Sequence, residues 1–264
     1  MNRKTDLGQW LVCVPARFAA QRLPGKPLQD LGGKPLIVRV CENLAPLAEA
    51  GAEIVVATDS EAVERACSDA GVRVQMTRND HPSGTDRCNE VAQRRAKPWI
   101  LNVQGDEPFV DTADLIRLMT TTETAGVDAR QGVHQLATLA ARSLDGRGFA
   151  SADIVKIICA RADAGAPGMR AIYFTRAPAP WERGAANGMP ARGFWHHQGV
   201  YAFGRSALAA FCKLGPSPLE ETEKLEQLRA IEAGWPVLVV ESGKSSRGID
   251  TPEDLEAARR VFAN

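Results

Sequence analysis

The chain has 264 residues, 44% of them hydrophobic and 24% charged, and its 32 basic and 32 acidic side chains give a formal net charge of +0. That length accommodates one large α/β domain, or one domain with a substantial insertion. A neutral balance excludes bulk attraction to nucleic acid or to an anionic membrane, so any anion site must be a local cluster of cations.

No apolar run reaches bilayer length, and the opening MNRKTDLGQW has no signal-peptide core. The six cysteines (Cys13, Cys41, Cys67, Cys88, Cys159, Cys212) are scattered, with no C-x-x-C pair. They read as reduced thiols of a cytoplasmic protein, not as disulfides or zinc ligands.

The first strand is expected from Trp10 to Val14, breaking at Pro15 into a loop that carries Arg17, Arg22 and Lys26. Pro24, Gly25 and Pro27 fix the course of that loop. Ligands of open α/β sheets bind outside the strand ends. Three fixed cations there suit a triphosphate, because Arg grips phosphate oxygens in a fork and Lys acts as a point charge. The bland alternative is a solvated basic loop. It is no Walker A loop, since Pro27 follows Lys26, and no dinucleotide glycine motif follows the strand.

Pro35 is expected to open a helix closing near Gly51. Glu53 to Ala57 reads as a second strand, and Ser60 caps the helix after it. Val72 to Met76 reads as a third strand. Ser83 to Arg87 opens a helix whose Ser-Gly-Thr start offers N–H groups and hydroxyls to an anion, although such triplets are often simple caps. Trp99 to Gln104 is a fourth strand, followed by Gly105-Asp106-Glu107-Pro108 and the helix TADLIRLMTTTETA. This alternation predicts a parallel, doubly wound sheet.

The second half reads differently. Strands are expected at Leu136 to Ala141, Asp153 to Ala160, Ala171 to Phe174, Trp195 to Phe203 and Val237 to Val240. One charged helix is expected from Pro218 to Ala233, with Leu219, Leu225, Leu228 and Ile231 at near-helical spacing. Thr251 and Asp254 form a capping box for a terminal helix that starts at Pro252.

Asp106 follows a glycine at a strand end, and Asp250 lies just past the last strand. Two such carboxylates can hold Mg²⁺, which takes one or two carboxylates and completes its shell with phosphate and water. For Asp250 a helix cap is the competing reading, and for Asp59 a turn or cap. His196 and His197 are adjacent in a strand and point to opposite faces, so they cannot both ligate one metal. The run from Glu220 to Glu226 reads as a solvated helix face.

The motifs VPARFAAQRLPGKPL, IVVATD, MTRNDHPSGTDR, LNVQGDEP, PSPLEETEKLEQLR and GIDTPEDLE, in this order, resemble the 3-deoxy-manno-octulosonate (Kdo) cytidylyltransferases. The resemblance implies an α/β fold with a doubly wound, mostly parallel sheet of the sugar nucleotidyltransferase type. It also implies a smaller mixed α+β insertion in the second half. Residues 1–264 would form one nucleotidyltransferase domain, with a sugar-binding and dimerisation insertion at 161–205.

The implied reaction converts CTP and Kdo to CMP-Kdo and pyrophosphate for lipopolysaccharide synthesis. By this resemblance Arg17, Arg22 and Lys26 hold the triphosphate, and Arg17, Lys26 and Asp106 are catalytic. Asp59, Arg78, Ser83, Gly84, Thr85 and Gln104 contact the nucleotide. Gln104, Arg176, His197, Tyr201, Glu223 and Gln227 contact the sugar, with Arg176 on its carboxylate. Asp106 and Asp250 bind Mg²⁺, and the protein is a homodimer with no nucleic-acid or membrane partner.

The chain departs from the family pattern in the sugar half. Ala150 and Ser151 stand where Asn-Pro is usual, and Phe203 replaces a second tyrosine. A related acceptor (8-amino-Kdo or a sialic-acid-like acid) and a non-catalytic nucleotide-binding paralogue are the alternatives.

Overall fold

The computed structural model describes residues 5–18, 22–125, 136–161, 167–246 and 248–262. Three positions of the basic loop (19–21) and part of the 161–205 segment lie outside these. The chain divides into two compact units, Met1–Thr112 with Ser246–Asn264, and Ala113–Ser245.

In the first unit four strands, β1 (Trp10–Ala16), β2 (Glu53–Thr58), β3 (Val74–Met76) and β4 (Trp99–Asn102), lie in the order β3-β2-β1-β4. All three neighbouring pairs are parallel. The connections carry α1 (Leu36–Asn43), α2 (Ala45–Glu49), α3 (Glu61–Asp69) and α4 (Gly84–Gln93). Every residue of β1 is buried, as a central strand covered on both faces requires.

Two expectations need correcting here. Pro15 does not break β1. The Cys13 carbonyl accepts the Val103 N–H at 3.1 Å, so the polar groups of Cys13 and of Pro15, two residues on, face the β4 side. The β4 pairing ends at Cys13 with Asn102, and the missing Pro15 N–H leaves no ladder bond unmade. The helix from Pro35 also does not run unbroken to Gly51. It divides at Leu44, because Pro46 has no N–H to continue the ladder.

The second unit holds α5, which begins at Thr112 (Thr112–Thr124), and the five strands β5 (Leu136–Ser143), β6 (Lys156–Arg161), β7 (Met169–Thr175), β8 (Phe194–Gly204) and β9 (Val237–Ser242). Their order is β8-β5-β9-β7-β6, and only β5–β9 is parallel among these neighbours. β6 starts at Lys156, not Asp153. Two short helices, α6 (Gly146–Ala150) and α7 (Arg205–Phe211), carry no strong periodicity in the sequence.

The charged helix after Pro218 is two helices, α8 (Pro218–Glu223) and α9 (Leu228–Glu232). Lys224 adopts a left-handed conformation (φ 54°, ψ 48°) and ends α8. The turn buries Leu225 and Gln227, which a straight helix would leave on opposite sides. The last helix, α10 (Pro252–Phe262), belongs to the first unit. Its predicted box is present: Thr251 Oγ1 accepts the Asp254 N–H at 3.1 Å, and Asp254 Oδ2 accepts the Thr251 N–H at 2.9 Å.

Candidate active site

The carboxyl end of β1 runs into a cavity of about 250 Å³, lined by Ala16, Arg17, Lys26, Gly84, Gln104 and Asp106 among others. Gly105 is what lets the β4 loop close on β1. A Cβ there would stand 2.7 Å from the Pro15 carbonyl oxygen, so only glycine fits.

Lys26 is the hub. Gly25, at φ 62°, turns the chain into a single 3₁₀ turn over Lys26–Leu28. The Lys26 ammonium donates to Asp106 Oδ2, and to Asp250 Oδ1 at 2.8 Å. Arg22 Nη2 reaches Asp250 Oδ2 at 3.0 Å. Burial works against the lysine charge, but Asp106 and Asp250 outweigh it and raise its pKa above the ordinary value. Positive side chains from the start of the chain and two distant acids therefore meet at one place. The cap reading of Asp250 is displaced, since Thr251 caps α10 and the Asp250 carboxylate faces Lys26 and Arg22.

Behind this pair, Glu107 Oε2 accepts the Ser246 hydroxyl at 2.6 Å, and the Asp106 carbonyl accepts the Ile249 N–H at 2.9 Å. These bonds tie the segment before Asp250 to the strand-end loop. Burial pushes the Glu107 pKa up to about 7, with the Asp106 and Asp250 charges adding to the rise.

The Ser83 start of α4 is both a cap and a wall of the cavity. Its hydroxyl accepts the Asp86 N–H at 3.2 Å. Arg17 Nη2 donates to the His81 carbonyl at 2.8 Å, which links the basic loop to the Ser-Gly-Thr turn. Thr85 is buried and accepts from Asn102 Nδ2 at 3.1 Å, while Asn102 Oδ1 accepts from Gln104 at 3.3 Å. Asp59 holds the buried Arg87 guanidinium at 2.9 Å, which also donates to Thr77. Arg78 is largely exposed beside Asp80, and its backbone N–H donates to Glu90 at 3.1 Å. Burial opposes ionisation of Glu90, but His81 at 2.6 Å, this N–H and Arg94 lower its pKa.

The sequence motifs assign no role to Asn102, Arg87 or Glu90, and point to Glu107 only as the neighbour of Asp106. Asn102 carried a usable signal, a polar residue inside the apolar run WILNV. The others are polar side chains on helix faces or in turns, where solvation is the ordinary expectation.

Gln104 apart, the sugar-side candidates fall in the second unit, with Arg176 and Glu223 in one hydrogen-bonded group and Tyr201 and Gln227 in another. Glu223 accepts the Thr175 hydroxyl at 2.7 Å and the Arg176 N–H at 2.9 Å. Arg176 donates from Nε to the Glu223 carbonyl and from Nη1 to the Ala152 carbonyl, both at 2.8 Å. The Tyr201 hydroxyl donates to Gln227 Oε1 at 3.1 Å, and the buried Gln227 Nε2 has no hydrogen-bond acceptor among the described residues.

His197 is buried between the rings of Phe174 and Tyr201, and its Nε2 meets Thr138 Oγ1 at 3.0 Å. Burial, with the adjacent His196 charge, pushes its pKa down to about 3, so the ring is neutral at working pH. His196 instead contacts the Ser245 hydroxyl at 2.6 Å, in accord with opposite faces for the two histidines. Phe203 packs between Tyr201 and Phe211, where a tyrosine hydroxyl would need a partner.

Among the described residues no group of three or more His, Cys, Asp or Glu side chains is arranged to hold a metal. No described helix is long and apolar enough to cross a membrane. None of the six cysteines, all of them described, is in a disulfide.

A parallel sheet that delivers cations and paired carboxylates to the end of its first strand defines a nucleotidyltransferase. The same fold occurs in a cytidylyltransferase from Leptospira borgpetersenii, at a TM-score of 0.59 and 16% identity over 97% of this chain and 87% of that one. The Cytidylyltransferase family model matches residues 11–245. A 3-deoxy-manno-octulosonate cytidylyltransferase from Rhodopseudomonas palustris is 42% identical over 96% of this chain and 97% of its own. A solved CMP:2-keto-3-deoxy-manno-octonic acid synthetase complexed with CTP superposes at a TM-score of 0.83, with 35% identity over 96% of this chain and 98% of that one. The chain belongs to the 3-deoxy-manno-octulosonate cytidylyltransferase family.

Proposed function

We propose that this chain transfers the cytidylyl group of CTP to Kdo, releasing pyrophosphate and forming CMP-Kdo for lipopolysaccharide synthesis. The acceptor's C2 hydroxyl attacks the α-phosphorus, the bond to the β-phosphate oxygen breaks, and the hydroxyl proton passes to solvent. The observation that carries this reading is the meeting of Lys26 and Arg22 with Asp106 and Asp250 beside the β1 cavity.

Arg17, Arg22 and Lys26 neutralise the triphosphate and the leaving pyrophosphate, which is most of what a protein contributes to phosphoryl-type transfer. Lys26 remains charged across the neutral range, since its pKa is raised. Asp59, Arg78, Ser83, Gly84, Thr85 and Gln104 surround the nucleoside, with Arg87 holding Asp59 in place. Arg176 meets the acceptor carboxylate, and Glu223, Tyr201, Gln227 and His197 shape the rest of the sugar site. The Gln227 amide, buried with a free donor, supports a ligand there.

Asp106 and Asp250 fit Mg²⁺. They are hard oxygen donors that already share one cation, and two carboxylates are what this ion ordinarily takes from a protein. Bound Mg²⁺ supplies charge neutralisation and lowers the pKa of the attacking hydroxyl. The protein works as a cytoplasmic homodimer.

Pyrophosphate release tests the reading. It is expected only when CTP, Kdo and Mg²⁺ are present together. Folded protein that binds CTP but turns over neither Kdo nor a related ulosonic acid would establish a non-catalytic paralogue instead.

A further inference from the structure

The described residues include a buried lysine that the reaction as outlined does not use. Lys156 opens β6 and has no solvent exposure. Its ammonium donates to three backbone carbonyls, those of Ser151 at 2.5 Å, Ile154 at 2.8 Å and Arg176 at 2.9 Å. An ammonium has three N–H donors, so all are used and none is left for a ligand. A buried cation is costly unless fully hydrogen-bonded, and an apolar residue would fill the position without that cost.

Two of the acceptors lie in the segment between α6 and β6. The third belongs to Arg176, directly after β7. The ammonium thus staples two separate segments at the backbone of Arg176. On its other side, Arg176 is held by its N–H to Glu223 and by Nε and Nη1 to the carbonyls of Glu223 and Ala152. Two of the guanidinium's five N–H groups are spent in this way, and the remainder can meet a carboxylate in a fork. Lys156 also adds a positive charge close behind Arg176. Their mutual repulsion, after burial, is a cause of the lowered Lys156 pKa.

We infer that Lys156 is a positioning residue for the acceptor carboxylate, acting through Arg176. The inference rests on the assignment of Arg176 to that carboxylate. The role is compatible with the Ala150-Ser151 departure, because Lys156 grips carbonyls in this stretch, which every residue supplies, and needs none of its side chains.

The test is steady-state kinetics on Lys156→Met, Lys156→Gln and Arg176→Ala, with the melting temperature of each. Lys156→Met keeps the aliphatic volume and removes the charge. It is expected to raise KM for Kdo about tenfold, with kcat and KM for CTP changed less than about threefold. Lys156→Gln, which retains two N–H donors, is expected to recover part of the loss. The inference is overturned if KM for Kdo stays put, if both KM values rise together, or if neither lysine variant folds, because Lys156 would then serve only the fold. An Arg176→Ala variant with unchanged KM for Kdo would instead remove the underlying assignment.

Discussion

The two units carry polar groups of opposite kinds. In the first, the charged groups assigned to the triphosphate and the metal stand in strand-end loops, partly exposed and paired with one another. Lys26, Asp106 and Asp250 have side-chain exposures of 13%, 26% and 44%. In the second, Arg176, Glu223, Tyr201, Gln227 and His197 are largely bound to one another or to backbone carbonyls. Charge chemistry in the first unit and shape with hydrogen bonding in the second match the two substrates proposed: a polyphosphate needs neutralisation, whereas a polyhydroxy acid needs placed donors and acceptors.

The sharpest way to break this contrast is in the first unit. Asp106→Asn keeps size and removes charge, and should cost about a thousandfold in kcat, the upper range for losing one preorganised electrostatic group. Pyrophosphate release beside an unchanged circular dichroism spectrum checks it; near-normal turnover would remove Asp106 from the site. Next comes Arg87→Met, which strips the buried partner from Asp59 and Thr77. It should cost about 3 kcal/mol of stability, read from the denaturant midpoint.

The second unit should respond to pH instead. The His197 pKa is about 3 in the folded chain, against about 6.5 when unfolded. The unfolded state therefore binds more protons between these values, and stability contributed by the neutral ring is lost as pH falls through that window. Between pH 7 and pH 5 the loss should be about 2 kcal/mol, and His197→Phe should abolish it. Parallel pH profiles for the two proteins would show that the ring is not held neutral. The smallest effect is expected at α8. Ser217 forms a capping box with Glu220, so Ser217→Ala should cost about 1 kcal/mol with turnover little changed.

The same contrast governs how much could be read from the sequence. The parallel half was legible because β1, β2 and β4 are apolar runs ending in charged loops, and Ser60, Ser83 and Thr251 are caps with local signatures. Lys26, Asp106 and Asp250 are far apart in sequence, yet Lys26 and Asp106 lie in the loops that follow β1 and β4, neighbouring parallel strands whose carboxyl ends open on the same side. The misread features depended on long-range or single-residue geometry. Pro15 stays in its strand only because β4 stops short, and the helix after Pro218 breaks because one lysine turns left-handed. The bonds of Arg176 and Lys156 run to backbone carbonyls and Glu223 accepts a backbone N–H, none of which a side-chain pattern reports.

The central claim is that one cluster of cations and carboxylates beside β1 holds the triphosphate. Isothermal titration of CTP with Mg²⁺ into the wild-type protein and into Lys26→Ala tests it most directly. The account predicts binding weakened about a hundredfold by the substitution, in keeping with a lost charge-assisted contact of about 3 kcal/mol. An unchanged CTP affinity in a folded Lys26→Ala protein would contradict it.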